Sequence, residues 1–110
     1  MKVLVITTDD TAVAIHVADL DLEWLQHTVG GYIEIFTGRP GWHGYCNEEG
    51  KLLGLPINKL ATGFARELGW NDRGVDFIVG DVVFLGNGVD GEEASVPEWL
   101  LDDFSFYTGG

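Results

Sequence analysis

Two short runs rich in β-branched residues open the chain, Lys2–Thr7 (KVLVIT) and Ala12–Val17 (AVAIHV), and only Thr8-Asp9-Asp10-Thr11 lies between them. Four residues cannot carry the crossover that parallel strands need, so the pair reads as an antiparallel hairpin. Asp19 or Asp21 then caps a short helix with Leu22, Leu25 and Val29 at i, i+3 and i+7, and Gly30-Gly31 stops it. In Tyr32–Thr37 the alternation of a strand sets Ile33 and Ile35 on one side, with Tyr32, Glu34 and Phe36 on the other.

Gly38–Gly44 (GRPGWHG) holds three Gly and one Pro, which predicts an exposed loop. Tyr45-Cys46-Asn47 and Lys51-Leu52-Leu53 flank Glu48-Glu49-Gly50 and read as a tight hairpin. Asn58 caps the clearest helix, where Leu60, Phe64 and Leu68 form an i, i+4, i+8 stripe flanked by Ala61 and Ala65, with Gly69 at its end. Asp76–Val79 and Val82–Leu85 read as a strand interrupted at Gly80-Asp81, followed by the turn Gly86–Gly91 and a short strand at Ala94. Ser95-Val96-Pro97-Glu98 matches a capping box, and the last helix should bury Val96, Leu100, Phe104 and Tyr107. The order ββαβ(ββ)αββα lacks repeated βα units. It predicts one α+β domain over residues 1–110, with a mainly antiparallel sheet and about three helices.

Charge narrows the function. The 110 residues carry 18 Asp and Glu against 6 Lys and Arg, a formal net charge of -12. The six bases, Lys2, Arg39, Lys51, Lys59, Arg66 and Arg73, are scattered, so no basic groove for nucleic-acid phosphates is expected. No apolar run approaches the roughly 20 residues of a membrane span, which predicts a cytoplasmic protein. Cys46 is the only cysteine and cannot form a disulfide within the chain. Residues 74–110 hold eight acids and no base, Glu92, Glu93, Glu98, Asp102 and Asp103 among them, which predicts a single-sign surface. Asp102 and Asp103 are read as lying near the negative end of the last helix, and Glu98 with Asp102 as a like-charge i, i+4 pair. Each misplacement should cost about 0.3–1 kcal/mol, so these charges are candidates for recognition of a basic partner.

Other chemistry is thinner. His43-x-x-Cys46 with Glu48 and Glu49 supplies too few soft ligands for a structural zinc site, and no metal or cofactor is expected. Glu34 and Asp81 would make a catalytic pair only if they converged in one cleft. Arg39, Trp42 and Tyr45, in or next to the glycine-rich loop, would suit a nucleotide, the aromatics stacking and Arg39 meeting the phosphate. No serine sits in a nucleophile elbow and no P-loop is present.

The segments LQHTVGGYIE (Leu25–Glu34), NEEGKLLGLPINKLAT (Asn47–Thr62) and GDVVFLG (Gly80–Gly86) resemble a domain-of-unknown-function family, family 3846, of short phage and actinobacterial proteins. The resemblance covers most of residues 20–90 and leaves the first hairpin and the acidic last helix outside it. It implies a bacteriophage or mobile-element origin, and by analogy a host-takeover or counter-defence factor. Glu34, Asn47, Asn58 and Thr62 would present donors and acceptors if the shared residues mark a site. The reading that follows is a non-enzymatic acidic protein that engages a basic host protein in the host cytoplasm. The alternative is a nucleotide-binding or nucleotide-sequestering protein. Two exposed edge strands would also allow a homodimer.

Overall fold

The computed structural model describes residues 1–71 and 73–109. Its elements run β1 (Lys2–Ile6), β2 (Ala12–His16), α1 (Leu22–Val29), β3 (Ile33–Phe36), β4 (Trp42–Asn47), α2 (Lys59–Glu67), β5 (Val82–Asn87), β6 (Glu93–Ala94) and α3 (Glu98–Tyr107). The sheet order is β2-β1-β5-β4-β3, every pairing is antiparallel, and β6 adds to the end of β5. The α+β class expected from the element order is the one observed.

Strand alternation divides the core in two. Val3, Val5, Val83 and Leu85 face α1, where Leu25 and Val29 pack on them. Leu4, Ile6, Val82 and Phe84 face the opposite layer, built from α2 and α3 through Phe64, Leu68 and Leu100. Because both faces of β1 and β5 are covered, their residues read as nearly continuous apolar runs. The helix signals hold where local chemistry decides them. Asp21 caps α1 by accepting from Trp24 N–H, Gly30 ends it at φ 84°, and Asn58 caps α2 by accepting from Ala61 N–H.

Four expectations need correction. The segment expected as a loop at Gly38–Gly44 gives way at Trp42 to β4, because Trp42 is a core residue, 1% exposed and stacked on Phe84. Lys51-Leu52-Leu53 is a turn and not a strand, so the bracketed pair of strands reduces to β4 alone. Asp76–Val79 forms no strand; Val79 makes one isolated bridge to Ile57. Ser95 does not cap α3, since its hydroxyl accepts from Lys2 N–H and the helix starts after Pro97 with no side-chain cap.

Asp102 and Asp103 lie in the middle of α3, four or more residues before its end at Tyr107. The dipole effect is confined to the last turn, so the penalty expected there is not incurred. Gly86–Gly91 spells G-x-G-x-x-G. It leads through a 3-10 turn at Val89–Gly91 into β6, not into a helix, and so lacks the helix N-terminus that cradles a dinucleotide pyrophosphate.

Candidate functional site

The long antiparallel strand β4 sorts its side chains by parity, and this decides which polar groups can meet. His43 and Cys46 are three residues apart on one strand, so they point to opposite faces and cannot share a ligand. On the α1 side, buried His43 contacts Asn87 Oδ1 through Nδ1 at 2.5 Å and Glu93 Oε1 through Nε2 at 2.9 Å. Tyr45 donates its hydroxyl to the same Glu93 oxygen at 3.0 Å. Burial, the Glu93 hydrogen bond and the Glu93 charge push the Tyr45 phenol up to about 12. This network ties β4 to the β5–β6 hairpin and occupies both ring nitrogens of His43.

The opposite side of β3 and β4 carries an open pocket of about 360 Å³. Glu34 comes from β3 and Cys46 from β4, one across from the other in register. Glu48 and Lys51 come from the turn after β4, and Asp76 with Phe77 forms the facing wall. Trp70, just past α2, closes the apolar end against Phe36 at a ring separation of 6.2 Å.

Lys51 pairs with Asp76, and that contact, followed by the Phe77 N–H donated to the same carboxylate, holds Asp76 below the usual carboxylate value. Glu34 and Glu48 have no ion-pair partner among the described residues. Three carboxylates against one ammonium leave the pocket formally at -2. The same field acts on the thiol: burial first, then the Glu34 charge, pushes Cys46 up to about 11. At neutral pH that sulfur is a protonated wall atom and not a nucleophile.

A larger hollow of about 410 Å³ lies between α2 and α3, bordered by Arg39, Glu67, Asp103 and Phe106. It already holds a cation, since the Arg39 guanidinium donates to Glu67 O at 2.5 Å.

The residues expected to carry function are dispersed. Glu34 lines the β3 pocket, whereas Asp81 borders a different hollow, beside the end of α1, and accepts from Thr8 N–H; the two carboxylates do not converge. Trp42 is corrected from a stacking group to a core residue, with its indole N–H given to Leu68 O at 3.2 Å. Tyr45 is committed to Glu93 and Arg39 to α2, so the three do not form a nucleotide clamp. Asn58, 0% exposed, is corrected from a binding residue to a structural one, because it donates to Ile6 O and Gly80 O while capping α2.

The acids of the closing segment also separate. Asp76 meets Lys51, Glu93 meets His43, and Glu98 lies 3.9 Å from Lys2, while Glu92, Asp102 and Asp103 are exposed. Lys51, Trp70, Asp76 and Phe77 were not singled out as site residues by sequence. Lys51 follows Glu48 within one turn, a local signal, but nothing local joins Asp76 to it.

A family model decides membership, matching residues 1–107. The chain belongs to the family described as Domain of unknown function (DUF3846). The match takes in the first hairpin and all of α3, both of which the motif resemblance had left outside. No curated protein and no solved structure matches the chain. Two of the motif segments converge on the β3 pocket, through Glu34 at the end of one and Glu48 and Lys51 in the other. No helix among the described residues is long and apolar enough to cross a membrane.

Proposed function

We propose that this DUF3846 protein is a non-enzymatic binding protein that receives a basic segment of another protein in the β3 pocket. The observation that carries this reading is the pair of unmatched carboxylates, Glu34 and Glu48, in a concave site walled by Trp70 and Phe77. A guanidinium or ammonium group entering there would gain charge-assisted hydrogen bonds from the carboxylates and a cation–π contact from the rings. The net charge of -12 adds long-range attraction for a basic partner and speeds encounter. Binding rather than catalysis is favoured by a thiol held protonated, by Glu34 and Asp81 in separate hollows, and by a His43 ring engaged at both nitrogens. In this reading the resemblance to short phage proteins makes the partner a host protein and the role a takeover or counter-defence one in the host cytoplasm.

Fluorescence anisotropy with a labelled hexa-arginine peptide tests the reading, with hexa-glutamate and a nucleoside triphosphate as competitors. The expected result is binding at low salt that weakens steadily as ionic strength rises and is insensitive to the nucleotide. Displacement by the nucleotide would favour the small-ligand alternative. Absence of binding at low salt would end the proposal.

A further inference from the structure

β3 is an outer strand, paired with β4 alone. Its register settles which backbone groups are free. Glu48 N–H donates to Tyr32 O at 2.8 Å, so residues 32 and 48 form a hydrogen-bonded pair of the antiparallel ladder. With period two, Glu34 and Phe36 also turn their N–H and C=O toward β4, and Ile33 and Ile35 turn theirs outward. The edge lacks the usual protections, having no Pro, no Lys and no bulge; its one charge, Glu34, belongs to the pocket. Ile35 is 56% exposed on the α1 side, and Glu34 faces the pocket on the other.

We infer that the partner segment enters as an added β-strand on the free edge of β3, with alternating basic and apolar residues, the basic ones facing Glu34 and the apolar ones facing Ile33 and Ile35. The inference rests on the reading of the pocket as the seat of a basic partner and adds the conformation and sequence pattern of what binds. Edge pairing supplies backbone hydrogen bonds independent of sequence, and the two faces of the added strand supply selectivity. A second copy of this chain is the wrong occupant on charge. Each copy carries -12, and pairing two β3 strands would bring two acidic pockets together.

The test uses the whole protein and an acetylated, amidated octapeptide of alternating Arg and Val, with amide hydrogen exchange read residue by residue. At saturating peptide the Ile33 and Ile35 amides should exchange at least about tenfold more slowly, while Glu34 and Phe36, already bonded to β4, should change little. Methylating the peptide backbone nitrogens at alternate residues should abolish that protection in one of the two phases and spare it in the other. Binding without protection of Ile33 and Ile35 would overturn strand addition and leave the basic-partner reading standing. Failure of both this peptide and hexa-arginine to bind would overturn the reading beneath it. Protection without peptide, together with a dimer in sedimentation, would assign the edge to a second copy and also overturn the inference.

Discussion

Asn58→Ala should destabilise the fold through lost hydrogen bonds more than through lost volume. The side chain is fully buried and makes three hydrogen bonds: Oδ1 accepts from Ala61 N–H at 3.0 Å, and Nδ2 donates to Ile6 O and Gly80 O, each at 2.9 Å. It therefore joins the start of α2 to the end of β1 and the entry of β5. Alanine removes an N-cap, worth about 1 kcal/mol, and leaves the Gly80 carbonyl without a donor, about 1 kcal/mol at the low end, whereas Ile6 O, opposite Val82 in the β1–β5 ladder, keeps a backbone partner. The total of about 2 kcal/mol is a large share of the roughly 5–15 kcal/mol that holds a domain of this size. At about 4–8 °C per kcal/mol the melting temperature should fall by about 8–16 °C. Asn58→Ser keeps an oxygen for Ala61 N–H and should recover about 1 kcal/mol of the loss. Equilibrium urea unfolding followed by far-ultraviolet circular dichroism measures both. A loss below about 1 kcal/mol for Asn58→Ala, or equal losses for the two variants, would refute the reasoning.

Two glycines should respond oppositely to alanine. A Cβ on Gly44 would lie 2.3 Å from the buried Phe36 ring, so Gly44→Ala should lose about 1–3 kcal/mol in the same unfolding assay. On Gly63, inside α2, it would meet only the movable end of Tyr107, so Gly63→Ala should be neutral or gain up to about 1 kcal/mol from helix propensity. Alkylation of Cys46 by iodoacetamide should be slow at pH 8 and rise with a midpoint near the raised value of about 11; a midpoint near 9 would contradict the burial and charge assigned to the pocket. Tyr45 and Cys46 both hold their protons more tightly when folded. The folded state then binds more protons than the unfolded one above pH 9, and stability should fall as pH climbs from about 9 to 12. Thermal melts of the wild type against Tyr45→Phe and Cys46→Ser should show part of that alkaline loss removed. Asp76 is shifted the other way, so its contribution, present above its unfolded value near 3.8, disappears as pH drops through its lower folded value; Asp76→Asn should flatten that acid limb.

What could be read from sequence was what short-range chemistry decides. Asp21 and Asn58 are caps and Gly30 is a left-handed stop, and all three were legible because a cap acts within four residues. Phe64 and Leu68 were legible from helical period alone. Trp42 was not, because three nearby glycines and a proline read as loop while the ring it stacks on, Phe84, comes from β5, far along the chain. The closing segment misled in a similar way. Its acids follow one another with no base between them, but α3 packs on one side of the sheet while Glu93 serves His43 on the other, so a run of one sign did not become one face. Within the candidate site, Glu34 was visible as a charge in an apolar strand. Its companions Asp76 and Phe77 were not, since no local pattern places the segment after α2 across from β3.

The central claim is that the β3 pocket, and not the acidity of the chain at large, receives the basic partner. Neutralising Glu34→Gln with Glu48→Gln changes the net charge by the same amount as Asp102→Asn with Asp103→Asn, so long-range attraction is matched between the two double variants. Their hexa-arginine affinities, measured by anisotropy at one low salt concentration, should differ. The pocket variant is predicted to lose about tenfold, equivalent to 1.4 kcal/mol, and the α3 variant less than about threefold. Equal losses, or a larger loss from α3, would contradict the account.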